Sequence, residues 1–470
     1  MTPALGVGFG NGVTCAGPTR ANACGTGKIN PDAGFRIGVD GGNVAIPPLQ
    51  SITAPVVPSP QSAGIYLLPG GNTPTQTYDF RIDPKRKTGV EDTWTLSLQR
   101  QLSNSMILEV GYVGRHAIHL YSGNDVNQIP YMFTASGQTF ASAYDNIQRA
   151  LLAGNAVAPQ PFVETVYAGG TAAYVSDAAD YLTNGQATDA FDILGLVTLP
   201  IDGQFIGGSD ITTSKGMSNY NAGYISLRKQ MTQGLMFQAN YTLSHSMDDS
   251  GLAQEYVFFN PTDGFNMKRD YTTSYFDRRH VFTGFFVYDL PFGQGHQSGA
   301  TGWLSKLLGG WEISSAITAS SGLPQKVYNG NSCQELGDGY VSQCASWIPT
   351  GSAAHTSFSR HTMPDGSINV YGSNWPAVEA AFRMPLFGDS RMGGTPIVGF
   401  PRWNVDAALN KTIKITERVG IGLSLQAVNV FNHMEFSDPT PDISDTTTFG
   451  QTSTQYNSPR FLNIGIRIDF

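Results

Sequence analysis

Three stretches of the chain bring together side chains able to do chemistry. HAIH sets His116 and His119 three residues apart, a spacing that suits a metal ion only when both rings share a face. On a strand an odd spacing sends them to opposite faces, so no shared ion is expected there. MDDSG places Asp248 beside Asp249, either a calcium-type carboxylate pair or simply a chain leaving a strand for a solvated loop. FDRRH crowds Arg278, Arg279 and His280 against Asp277, with Asp270 just upstream. That cluster could meet an anionic ligand, although a charge cluster at a strand entrance is the plainer reading. Enzyme signatures are missing: GxSxG, HExxH and GxxxxGK[ST] do not occur. GVGFGNG at 6–12 has neither the preceding strand nor the following helix that a phosphate loop needs. No catalytic residue, cofactor site or metal site is therefore expected.

The four cysteines fall into two local pairs, Cys15 with Cys24 and Cys333 with Cys344, both in Gly/Asn/Ser-rich stretches. Local pairs in long loops suggest disulfides formed in an oxidising compartment such as a periplasm, with four unpaired thiols as the alternative. Charged residues make up 14% of the chain, below the roughly 25% of ordinary soluble domains. Glycine is abundant at 54 of 470 residues, and Phe and Tyr contribute 26 and 20. This composition fits a glycine- and aromatic-rich β protein. The net charge of -8 argues against a nucleic-acid partner. No run of 18 apolar residues occurs, which excludes a transmembrane helix. The opening MTPALGVGFGNGVTC has neither the basic nor the continuous apolar region of a signal peptide.

The elements that position these residues show a two-residue period. The chain ends on FLNIGIRIDF, where Leu462, Ile464, Ile466, Ile468 and Phe470 alternate with Asn463, Gly465, Arg467 and Asp469. That is a strand with one apolar and one polar face. The same alternation recurs in VGIGLSLQAVNVFN, RWNVDAALNKTI, GLMFQANYTLSHS, WEISSAITASSG, TWTLSLQRQL, MILEVGYVGRH and YNAGYISLRKQ, while RHVFTGFFVYDLP is apolar on both faces. Nine strands are expected, near 90–101, 106–120, 219–230, 234–246, 278–290, 310–321, 401–415, 418–431 and 460–470. Most are long enough to cross a bilayer as tilted β structure, which takes roughly 9–11 residues.

The connections alternate between short (103–105, 231–233, 292–309, 416–418) and long (121–218, 247–277, 322–400, 432–459). Tight turns on one side and long loops on the other are the signature of an all-β, antiparallel up-and-down transmembrane β-barrel with long extracellular loops. Apolar side chains would face lipid and polar or small ones the interior. Trp94, Trp311, Trp403, Tyr288 and Phe470 would then form interfacial aromatic girdles. Arg278, Arg279 and His280 would lie where lipopolysaccharide phosphates could reach them. Nine strands is an odd number, whereas bacterial single-chain barrels have even ones. The chain is thus expected to supply about 9–10 strands of a larger barrel, with 1–89 an extracellular loop segment and 90–470 the C-terminal barrel part.

NYTLSHSMDD (240–249), SYFDRRHVFTGFFVYDLPFG (274–293), GGWEISSAITASSGLP (309–324), ALNKTIKITERVGIGLSLQAVNVFNHMEF (408–436), FGQ (449–451) and SPRFLNIGIRIDF (458–470) together resemble the barrel of Oar-like TonB-dependent receptors. WTLSLQRQL and LEVGYVGRH match as well, so the resemblance covers roughly 80–470. It implies a Gram-negative outer-membrane location, a barrel of 22 strands, and an N-terminal plug and TonB box outside this sequence. It implies as partners outer-membrane lipid, the TonB complex and a transported substrate of unknown identity. It also makes Leu462, Ile464, Ile466, Ile468 and Phe470 the C-terminal signal read by the barrel-assembly machinery. Two other readings remain open at this point: a plug-less porin-like channel or surface adhesin, and a secreted carbohydrate-binding β-sandwich.

Overall fold

The computed structural model describes residues 79–123, 129, 131–195, 209–249, 261–292, 307–329, 347–351, 361–389, 397–416, 419–445, 447–452 and 454–470. The four cysteines and the 6–12 motif lie outside them. Nine long strands follow one another: β1 (Val90–Ser103), β2 (Met106–Ser122), β3 (Ser209–Thr232), β4 (Leu235–Asp248), β5 (His280–Asp289), β6 (Trp311–Ser320), β7 (Arg402–Lys414), β8 (Gly420–Val428) and β9 (Phe461–Asp469). Each pairs antiparallel with the next, giving an up-and-down meander in strict chain order. All nine expected strands are present, with ends displaced by a few residues at most except in β3. That strand begins ten residues early, and its extension SDITTSKGMS has no apolar alternation to announce it.

The register shows why the two-residue period matters. Leu98, Val110, Ile225, Tyr241, Phe282, Ala319 and Trp403 stand side by side across seven strands, and every one is apolar or aromatic. One residue along each strand gives Gln99, Glu109, Ser226, Asn240, Thr283, Thr318 and Asn404, all polar. A one-residue slip anywhere would exchange the two faces, so burial of one of them locks the register. The β3–β4 turn helps to set it. Gln233 and Gly234 both adopt positive φ, 54° and 77°, between the paired Thr232 and Leu235. That is the geometry of a two-residue type I′ hairpin, whose twist matches the flanking strands.

β1 and β9 each have one long-strand neighbour, so the sheet is open and both edges are free among the described residues. The apolar face is bare. Leu98 is 75% exposed, Ile464 76%, Ile466 72% and Ile468 61%. Among the described residues nothing covers those isoleucines, whereas a soluble β-sandwich would bury that face under a second sheet. No helix of the described residues is long and apolar enough to cross a membrane.

The hydrophobic cores lie in the loops. The described part of the long β2–β3 connection holds five helices: α1 (Phe140–Leu152), α2 (Pro161–Val166), α3 (Gly170–Asp177), α4 (Ala179–Asn184) and α5 (Ala187–Ile193). α1 starts where the Thr139 hydroxyl accepts the Ser142 N–H at 3.2 Å, and it buries Phe140, Ala143, Tyr144 and Ile147. Those positions follow i, i+3, i+4, i+7, a helical stripe legible in FASAYDNIQRALL but hidden within a stretch expected to be loop. Pro161 at the first position starts α2, and Gly185 at φ 76° ends α4. One further element lies within 1–89, expected to be a loop-rich segment. There Asp79–Ile82 forms a short strand parallel to the first four residues of β3.

Candidate functional site

The polar face of the sheet is a hydrogen-bonded ladder. Gln99 Nε2 donates to Glu109 Oε2 at 2.9 Å, and the Tyr224 hydroxyl donates to Glu109 Oε1 at 2.7 Å. Ser226 Oγ donates to Asn240 Oδ1 at 2.7 Å, and Asn240 Nδ2 reaches Thr283 Oγ1 at 3.3 Å. Farther along, Asn404 Nδ2 donates to Asp406 Oδ1 at 2.8 Å and Asn410 Nδ2 to Glu312 Oε1 at 2.9 Å. Amides and hydroxyls with a few carboxylates suit a wet interior, because these groups keep partners whether or not water is present. The apolar face accommodates its rare polar groups by local satisfaction. Ser315 Oγ donates to the Asp406 carbonyl at 2.8 Å. Lys411 lies beside Trp311 and sends its ammonium to the Leu307 and Gly309 carbonyls, both at 2.8 Å, in the β5–β6 turn region. This is a long side chain reaching back to the polar edge of an apolar surface.

Over the long-loop rim sits a cap that ties all four long loops together. The five helices enclose a core of Phe140, Tyr144, Phe162, Tyr174, Leu182 and Phe191, into which the β6–β7 loop inserts Phe387. The Phe387 ring lies 4.9 Å from Tyr131, 5.5 Å from Tyr144 and 6.0 Å from Phe140. Behind it, Asp145 on α1 accepts the Phe387 and Gly388 N–H groups, both at 2.8 Å, and pairs with Arg149 at 3.2 Å. Arg383 grips Asp389 through two parallel bonds of 2.8 Å, which holds the same turn. Burial pushes the Asp145 carboxyl above its usual range, while the Gly388 and Phe387 donors and Arg149 pull it back down.

The β4–β5 loop joins through Asp263, which is fully buried. It accepts the Tyr131 hydroxyl at 2.9 Å and the Phe265 and Asn266 N–H groups at 3.0 Å each, and pairs with Arg269 at 3.2 Å. A second core links the β6–β7 and β8–β9 loops, with Phe449 packed among Val327, Val370, Tyr371 and Phe382. Gly450 is required beside it. Its φ is 73°, and a Cβ there would sit 2.4 Å from the Tyr371 ring.

Asp270 gives the cap a pH dependence. The Thr262 N–H and hydroxyl donate to it at 2.8 and 2.6 Å, yet burial dominates and its pKa is pushed up to about 6. Nearby Lys326 lowers the value and Asp263 raises it. A carboxyl whose folded pKa is raised binds protons more tightly folded than unfolded. Its contribution is therefore fully present below the unfolded pKa of about 4 and is lost as pH rises through about 6. Protection factors for amides 261–277 are expected to be higher at pH 5 than at pH 8, by roughly 1 kcal/mol, the remainder of the gain appearing only as pH falls toward about 4. The Asp270→Asn variant should abolish the difference. An unchanged pH profile in that variant would assign the effect to another group.

The stretches singled out in the sequence are used structurally. His116 Nδ1 meets Asn219 Oδ1 at 2.7 Å and His119 Nδ1 the Ser214 carbonyl at 3.4 Å, and no metal-competent cluster occurs among the described residues. Asp249 accepts the Met217 N–H at 2.7 Å. Arg278 donates to Ser320 Oγ and the Ser321 carbonyl, Arg279 pairs with Asp277 at 3.8 Å, and His280 bonds the Tyr241 hydroxyl at 2.7 Å. The cluster stitches β4, β5 and β6 at their rim. Trp94 and Trp403 stand on the apolar face toward the long-loop end, Trp311 and Phe470 toward the short-turn end. Trp403 stacks on His433 at 3.7 Å. The sequence reading missed the helical cap, and with it Phe387, Asp145, Tyr131 and Asp263.

A family model described as "Outer membrane beta barrel domain" matches residues 10–463. No curated protein matches the sequence. Among solved structures, the outer membrane transporter YddB from Escherichia coli aligns at 10% identity and a TM-score of 0.37, over 84% of this chain and 35% of that one. The ferric-catecholate import receptor Fiu from Escherichia coli K12 aligns at 10% identity and a TM-score of 0.32, over 85% and 31%. The pyoverdine receptor FpvA from Pseudomonas aeruginosa aligns at 11% identity and a TM-score of 0.30, over 81% and 30%. The chain thus spans about a third of the length of these structures.

Proposed function

The chain belongs to the outer membrane beta barrel domain family and resides in the bacterial outer membrane, and we propose that it is the C-terminal barrel segment of an Oar-like TonB-dependent receptor. The observation that carries this reading is an open meander bearing a packed cap of loops. Among the described residues two strand edges stay open while four rim loops pack into one cap with its own cores. Open edges in lipid leave backbone groups unsatisfied at several kcal/mol each, so further strands must pair with β1 and β9. A cap of this order favours selective recognition over free diffusion, and the proposed role is binding and passage rather than catalysis.

In this reading residues 1–89 belong to an extracellular loop segment and 90–470 to the barrel. Loops 121–218, 247–277 and 322–400 recognise the substrate, and the polar ladder surrounds a plug. Energy comes from the TonB complex. Trp94 and Trp403 anchor the outer lipid interface, and Trp311 and Phe470 the inner one, where an amphipathic or terminal ring is favoured. The apolar run Leu462, Ile464, Ile466, Ile468 and Phe470 presents the barrel-assembly signal. Cys15 with Cys24 and Cys333 with Cys344 form loop disulfides.

The test uses the protein expressed from its complete reading frame in outer membranes, with a photo-crosslinker placed at Asn240 or Phe285 on the polar face. Capture of a folded protein segment inside the lumen, together with low ion conductance, is expected. Absence of any protein crosslink with high conductance would replace the plugged receptor by the porin-like channel.

A further inference from the structure

The cap, the ladder and the aromatic ends leave one cluster without a role. At the long-loop rim a cavity of about 420 Å³ opens between β2, β3 and the connection Asp83–Gly89, lined by Asp83, Lys85, Lys87, His119, Ser214 and Lys215. Sequence separation makes this convergence a product of folding, since Lys215 lies far along the chain from the other two lysines. The parallel pairing of Asp79–Ile82 with the start of β3 brings them together.

The loop is held in place by its backbone. The Lys87 N–H donates to Ser214 Oγ at 2.8 Å, the Lys85 N–H to Asp83 Oδ1 at 2.8 Å, and the Arg86 N–H to the Asp83 carbonyl at 3.0 Å. Arg86 turns its guanidinium onto the Tyr121 ring, 4.6 Å from the centroid. The ammonium groups have no such partner: among the described residues Lys85, Lys87 and Lys215 form no ion pair. Among the described residues Asp83 is the single carboxylate lining the cavity, so three lysines against one carboxylate leave a formal charge of +2. This occurs in a chain whose net charge is -8. Like charges held together repel unless an anion joins them, and exposed lysines ordinarily find carboxylates in so acidic a protein.

We propose that this cavity binds the phosphate group of an outer-leaflet lipid headgroup. Its depth in the membrane favours a lipid over a soluble ester. Val90, paired with Ile118 of the cavity lining, lies four residues beyond Trp94 on the loop side of β1. That is about 13 Å along the strand past an aromatic at the interface, the layer where headgroup phosphates sit. A phosphate monoester carries up to two negative charges and three acceptor oxygens, matching three ammonium donors and the His119 ring. The inference depends on the membrane location and is independent of whether the barrel is plugged.

The test uses the protein from its complete reading frame, purified from outer membranes in mild detergent, beside the triple variant K85Q/K87Q/K215Q. All three side chains are exposed, so folding is expected to persist, checked by heat-modifiable migration. The probes are purified bisphosphorylated lipid A, its dephosphorylated form, and inorganic phosphate. Each lysine near a headgroup surface is worth about five-fold in affinity, so the triple variant should bind bisphosphorylated lipid A roughly 100-fold more weakly. Dephosphorylated lipid should bind both proteins equally and weakly. Raising salt from about 0.05 to 0.5 M should weaken wild-type binding, which tests the charge requirement without any substitution. Equal binding of the phosphorylated lipid by wild type and variant, or of both lipid forms by wild type, would overturn the proposal. Inorganic phosphate binding as tightly as the lipid would assign the cavity to a soluble phosphate ester instead.

Discussion

Replacing Ile225 by Arg is expected to remove most of the folded protein from the outer membrane, whereas Arg at the adjacent Ser226 should leave it there. Ile225 lies between Val110 and Tyr241 near mid-height on the apolar face and is 47% exposed. A guanidinium on the lipid side near the bilayer midplane costs about 2–4 kcal/mol. In a protein whose total stability is of order 10 kcal/mol, that shifts the balance strongly toward unassembled chain. Ser226 faces the other way, between Glu109 and Asn240. Arg there loses one hydrogen bond to Asn240, worth about 1 kcal/mol, and gains a carboxylate neighbour in a wet environment. The measurement is the fraction of heat-modifiable, membrane-inserted protein for each variant, followed by urea unfolding in vesicles. Equal loss from both variants would mean that the two faces do not meet different solvents, and the membrane-spanning orientation would fall.

The second large effect is expected at Phe387. Its ring fills a cage of Tyr131, Phe140 and Tyr144, while its own N–H and that of Gly388 are bound by buried Asp145. Phe387→Ala should cost about 3–5 kcal/mol of docking between the β6–β7 loop and the helical cap, from lost burial plus the cavity left behind. The loss falls on the loop and leaves the sheet intact, because the hydrophobic members of that core all come from the long loops. Hydrogen exchange should accelerate by orders of magnitude in 361–389 and in α1, with β4 and β5 unchanged. Limited proteolysis should cut the same loop, and any ligand selected by the closed cap should bind more weakly. Accelerated exchange spread evenly over the sheet would show that the cap is not a separable unit, and exchange unaltered in the loop would show that Phe387 is not its latch.

The nine strands, their alternation and the sorting of short from long connections follow from local chain properties. A two-residue period belongs to the backbone of an extended segment and needs no partner to be visible. For the same reason the apolar set Leu98, Val110, Ile225 and Tyr241 could be assigned to one face before any register was known, because each strand announces its own faces. The stripe Phe140, Ala143, Tyr144 and Ile147 was equally local, yet it was obscured by a surrounding stretch rich in turn residues. What depended on tertiary structure is every feature joining distant parts of the chain. Asp145 meets Phe387 across 242 residues, and Tyr131 meets Asp263 across 132. Lys215 reaches Lys85 and Lys87 only through a parallel pairing that no periodicity encodes. Contacts of this kind arise when preformed hairpins bring their loops to one rim, and the side chains that then meet carry no mark in their own neighbourhoods of the partner they will find.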